Sequence, residues 1–163
     1  MTVRFHLLIS LCAAVITGGA QAGSAGAPPL MPIQVGQVWQ LTTRPAAGQP
    51  VTADLQVERE FLPGGSTSRT FALTSPDAGG DLYFSPSDRG LALSLLYGKD
   101  RVYRCFGLWP VGARQVSGVL LSGSAERTNA QLAQAQRGSD YSFPSLMASM
   151  RRDGAGTCTI TLR

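Results

Sequence analysis

Glu58 and Glu60 stand two residues apart in a strand-like run, and Asp77 and Asp81 flank a glycine turn. Paired carboxylates of this kind serve glycoside hydrolysis or calcium binding. They are also what a solvated strand face and an ordinary turn carry. Other reactive groups are scarce: one histidine, His6, and three cysteines, Cys12, Cys105 and Cys158. The single lysine is Lys99, and no Gly-rich loop ends in Lys-Ser or Lys-Thr, so a phosphate cradle of that type is absent.

His6 and Cys12 belong to a segment that reads as an export signal. Arg4 and His6 open it, residues 7–17 are apolar apart from Ser10, and Ala20-Gln21-Ala22 supplies the small-x-small site for cleavage before Gly23. The apolar run is too short to span a bilayer, which takes about 20 residues. Lipidation of Cys12 is disfavoured, because Leu11 precedes it where lipobox sequences carry Gly, Ala or Ser. Removing residues 1–22 leaves 163 − 22 = 141 residues, enough for one domain, with no histidine. Ser-His-Asp and Cys-His catalysis and mixed His/Cys zinc binding are then excluded. Neither a cofactor nor a metal is expected. The two remaining cysteines, Cys105 and Cys158, are expected to form a disulfide in an oxidising compartment: periplasm, cell envelope or extracellular space.

These groups need elements to hold them. Residues 23–33, rich in small residues and proline, read as a flexible linker, with one β-rich domain over 34–163. Period-two alternation predicts strands over 38–43, 51–58, 69–74, 81–84, 91–97, 100–109 and, more weakly, 115–121. Thr128 with Gln131 resembles a capping box and predicts a helix over 129–137. Phe143, Leu146, Met147 and Met150 form one helical stripe, with Gly154 as its stop. Cys158, Ile160 and Leu162 alternate with threonines in a last strand. The fold class is therefore mainly β: an antiparallel meander forming a small barrel or sandwich, with two short α-helices before the last strand.

Gly36-Gln37-Val38-Trp39 resembles the Gly-x-Trp opening of lipocalin-type barrels, with one residue more between glycine and tryptophan. A late helix followed by a short cysteine-bearing strand is similar to that family's ending. The resemblance covers a handful of residues, and the second helix precedes a strand, which leaves no room for the family's full order. The resemblance implies a lipocalin-type barrel; without it, Trp39 reads as a tryptophan anchoring the first strand in the core.

Charge divides the mature chain. Residues 23–98 hold four arginines and six acids; residues 99–163 hold nine basic residues and four acids, a net of −2 followed by +5. Arg101, Arg104, Arg114, Arg151 and Arg152, gathered on one surface, would bind an anionic partner such as an envelope polymer, lipid head groups or extracellular nucleic acid without base recognition. The leading expectation is an exported, non-catalytic binding or interaction module. A cavity lined by Trp39, Leu93, Leu95, Phe106 and Trp109 would instead make the ligand small and apolar. The alternatives are a structural or accessory envelope protein, an inhibitor without a ligand site, and a carboxylate-dependent hydrolase. Intact mass of the exported protein should correspond to a start at Gly23 and rise by about two hydrogens on reduction, one disulfide's worth. A mass retaining residues 1–22 would contradict the export reading.

Overall fold

Burial alternates along each strand as period two requires. In β2 (Thr52–Phe61) Ala53, Leu55 and Val57 are buried while Thr52, Asp54, Gln56 and Glu58 are exposed. The computed structural model describes residues 33–61 and 68–163; residues 1–32, which carry the expected export signal and all of the expected linker but Ile33, lie outside the described residues. Ile33, placed at the linker's end by composition, is buried. The other strands are β1 (Val38–Arg44), β3 (Arg69–Ser75), β4 (Ala78–Ser85), β5 (Gly90–Tyr97), β6 (Arg101–Leu108), β7 (Gln115–Ser124) and β8 (Gly156–Leu162). Each pairs antiparallel with the next, and β8 returns to β1, so the sheet closes as an eight-stranded meander barrel. Closure removes every edge strand.

Two helices fill the β7–β8 connection: α1 (Ala125–Arg137) and α2 (Phe143–Arg152). α1 starts earlier than the Thr128 capping pattern suggests. Its N-cap is Ser124, which accepts the Arg127 N–H at 3.3 Å. Thr128 is instead a buried helical residue whose Oγ1 donates back to the Ser124 and Ala125 carbonyls at 3.1 Å. α2 keeps its expected stripe, with Ser142 as N-cap and Pro144 in the first turn.

The helices create a second apolar layer outside the barrel. Phe106, Val119 and Leu121 on the outer face of β6 and β7 pack with Ala135 of α1 and Leu146, Met147 and Met150 of α2. Phe143 extends this layer, stacking parallel to Tyr83 at 6.2 Å. Its ring occupies the place a side chain at Gly90 would need. Inside, Trp39, Leu41, Leu55, Leu93 and Leu95 are at most 1% exposed, with Trp39 as the expected anchor of β1.

The sheet bends most sharply at β7. Cys105 on β6 and Cys158 on β8 flank it, yet their Cα atoms are 5.9 Å apart and their sulfurs are bonded. Two strands apart on a flat sheet would mean at least about 9.5 Å. Gly118 makes this approach possible: it pairs with both Gly107 and Cys158. A Cβ there would collide with the Phe106 carbonyl oxygen and stand 3.3 Å from Cys158 Sγ. Gly118→Ala should therefore lower the unfolding free energy by about 1–3 kcal/mol, the usual cost of overpacking. Replacing both cysteines by alanine should lower it by about 4 kcal/mol, the chain-entropy value for a loop of this length. Urea unfolding of the two variants measures both, and a neutral Gly118→Ala would show that the bend does not depend on a bare backbone.

Candidate functional site

One end of the barrel is closed by aromatic rings. Trp39 and Trp109 meet edge to face with centroids 5.1 Å apart. Trp39 Nε1 donates to Gln37 Oε1 at 3.2 Å, and the Trp109 N–H donates to the Arg89 carbonyl at 2.8 Å. Of the five residues named for a small-ligand cavity, Trp39, Leu93 and Leu95 are packed inside and Trp109 plugs the end. Phe106 faces the other way, under the helices. Register explains this: Phe106 stands between Cys105 and Gly107, and alternate residues on a strand take opposite faces.

The opposite end, by the β1–β2 turn and the start of α1, is polar. Tyr103 of β6 pairs with Ser122 of β7, and Arg101 stands two residues nearer the rim. From the first turn of α1, Arg127 crosses Gly123 so closely that a Cβ at 123 would stand 3.0 Å from its Cδ. With Pro45 and Ala47 of the β1–β2 turn, these residues line a depression of 110 Å³. Thr43 fixes that turn: it is fully buried, its Oγ1 accepting the Val51 N–H at 2.9 Å and donating to the Val51 carbonyl at 3.1 Å.

A wider depression of 460 Å³ lies on the outer face of β7, β8 and β1. Antiparallel register sets Thr52, Thr42, Thr159 and Ser117 in one row across four strands. Arg44 at the end of β1 and Arg151 in the last turn of α2 border it, beside Thr157. Among the described residues neither arginine has a carboxylate within ion-pair distance, nor do Arg101, Arg114, Arg127 and Arg152.

The five arginines named from sequence do not form one patch. Arg151 lines the outer groove, with Arg152 exposed next to it, and Arg101 lines the end depression. Arg114 lies in the β6–β7 loop at the tryptophan-closed end, with β6 and β7 separating it from Arg101. Arg104 is half-buried beneath α1, where its Nη2 donates to Asn129 Oδ1 at 2.6 Å and burial pushes its guanidinium pKa down. Arg44, Arg127, Tyr103 and the threonine row were not singled out by sequence. The threonine alternation in β8 was the one signal pointing to them, and it needed the β1–β8 pairing to become a surface.

The carboxylate pairs separate as well. A bulge between Val57 and Arg59 shifts the register, so Glu60 comes opposite the buried Phe71 while Arg59 comes opposite Ala72. Glu58 and Glu60 therefore do not share a face. Glu60 is bound by Arg69 through two hydrogen bonds, which hold its carboxyl below the ordinary range, and Glu58 accepts from Thr74 Oγ1 at 3.1 Å. Asp77 stays in its turn and Asp81 lies within β4. Among the described residues no group of three or more acidic, histidine or cysteine side chains is arranged to hold a metal ion.

No family model matches the sequence, and neither the curated proteins nor the solved structures gave a match. The geometry alone carries the functional reading. Arg104 tests how the arginines divide, because its Nε finds no hydrogen-bond partner while its stem is packed. Arg104→Met should change the unfolding free energy by no more than about 1 kcal/mol, since a long apolar chain keeps the packing and relieves the buried donor. A loss above about 3 kcal/mol would show instead that the guanidinium holds α1 in place.

Proposed function

We propose that this protein is an exported, non-catalytic binding module of the cell envelope or extracellular space, and that its partner is an anionic polymer. The observation that carries this reading is the outer groove, in which the uncharged hydroxyls of Thr42, Thr159 and Ser117, in one row with Thr157 beside them, are bordered by two arginines without ion pairs among the described residues. Export is supported by the signal-like leader and by a cysteine pair at bonding distance.

The groove's shape favours a chain over a small molecule. Two strand spacings carry the groove's hydroxyls over about 9.5 Å, and Thr52 on β2 continues the row beyond the groove, so a chain could follow it. Hydroxyls both donate and accept, so they suit the sugar or phosphate oxygens of such a chain without fixing its sequence. Arginine adds a planar, permanently charged fork for phosphate, sulfate or carboxylate groups. The inward-facing residues are packed against one another, so the groove is the larger surface open to a ligand.

Retention on heparin or immobilised polyphosphate, measured against salt, tests this. The slope of log affinity against log salt should fall by roughly one for each arginine removed, hence by about two in Arg44→Gln/Arg151→Gln. Arg114→Gln, at the other end, should give a smaller change. Equal effects from the groove and control variants would mean that net charge alone is being read, and the proposal would fail.

A further inference from the structure

We infer that the open end of the barrel binds one tetrahedral oxyanion, a phosphate or sulfate group, separately from any polymer in the outer groove. The groups lining this depression are donors drawn from three elements. Arg101 and Tyr103 come from β6, Ser122 and Gly123 from β7, and Arg127 from α1. Neither arginine forms an ion pair among the described residues, although Asp100 and Glu126 neighbour them in sequence.

Tyr103 is what sets the depression apart from a chance meeting of two arginines. Its side chain is 1% exposed and lines the site, yet its hydroxyl makes no hydrogen bond with any described residue. Its ring is buried but its oxygen is not sealed from solvent, so the hydroxyl opens into the depression, where its O–H can donate to an acceptor. Among the described residues lining the depression, two cationic forks and the Ser122 hydroxyl can recruit an acceptor. An anion brought by Arg101 and Arg127 would present the missing acceptor.

The size and the number of donors define the class of anion. A depression of 110 Å³ holds several water-sized atoms. That suits a single head group and leaves no room for a sugar ring beside it. A carboxylate, with two oxygens in one plane, is satisfied by one guanidinium fork. Two forks and two hydroxyls arriving from different elements suit an anion whose oxygens point in several directions. The N-terminus of α1 adds its positive dipole end on the same side. Pro45 and Ala47 add an apolar side to the wall of the depression.

Isothermal titration of the oxidised protein with inorganic phosphate, methyl phosphate and sulfate tests the inference, with sodium chloride as the control. We expect saturable binding of one anion per chain. Arg101→Gln and Arg127→Gln should each weaken it by roughly ten-fold or more, the loss expected for a charge-assisted hydrogen bond. Tyr103→Phe, which keeps the packed ring, should weaken it by a few-fold while thermal unfolding confirms an intact fold. Arg151→Gln should leave it unchanged. Methyl phosphate binding as tightly as inorganic phosphate would identify an esterified end group as the ligand, whereas tighter inorganic phosphate would identify the free ion. Absence of saturation by any of the three anions would overturn the inference. So would binding that survives Arg101→Gln and is lost in Arg151→Gln, which would put the anion in the outer groove, or binding that falls equally in both, which would show that net charge alone is read.

Discussion

Closing eight strands into a ring requires the sheet to bend somewhere, and here the bend falls on bare backbone. Gly107 and Gly118 pair across β6 and β7. With no side chain at 118, β6 and β8 approach closely enough for the Cys105–Cys158 bond to form between strands that do not pair with each other. The covalent bond and the glycine pair depend on each other. A side chain at 118 would press on the Phe106 carbonyl and crowd Cys158 Sγ, and without the bond the last strand would be held by its hydrogen-bond ladders alone. Gly80 and Gly156 repeat the device on β4 and β8, since a Cβ at either would collide with the neighbouring strand's backbone.

That tight closure decides where a ligand can go. A barrel drawn in this way fills its middle with its own leucines and tryptophan, and the two indoles plug one end. The helices cover the outer face of β6 and β7. Two depressions stay open to a ligand, one at the polar end and one on the outer face of β7, β8 and β1. Both depressions lie beside the β1–β2 turn, since Arg44 borders one and Pro45 the other. Thr43, directly before them, is locked to Val51 by two hydrogen bonds, so a single buried hydroxyl positions both sites.

Much of this architecture was legible in the sequence, for a physical reason. A strand with one face in the core must alternate, so residues 51–58 declared β2 without help. The strand number, the two helices, the α2 stripe and the cysteine pairing followed from similar local rules. What failed was local chemistry overridden by neighbours. Gly79 and Gly80 look like turn residues and are strand residues of β4, and at Gly80 the backbone of β5 passes where a side chain would be. Ser122, Gly123 and Ser124 look like residues beyond the end of β7 but extend it, and Ser124 then caps α1 ahead of the Thr128 pattern. Closure itself was not legible: the β1–β8 ladder joins strands at opposite ends of the domain, and period two is common to barrels and sandwiches.

The candidate sites were less legible than the fold because charge counts carry no direction. The excess of arginine in the second half was plain, but the helical insertion sends those side chains to separate places. Arg104 goes under α1, Arg114 to the tryptophan-closed end and Arg151 to the outer groove. The residues that complete each depression come from elsewhere: Arg44 from the acidic half of the chain, and Tyr103 from what reads as a core position. A tyrosine at an inward strand position is ordinarily explained by packing. It becomes informative only when its ring is buried, its hydroxyl lacks a partner and cations stand around it, a conjunction no spacing rule encodes. Fold and function thus draw on different information. The fold follows from which residues avoid water, and the candidate sites from the few polar groups that closure leaves without partners.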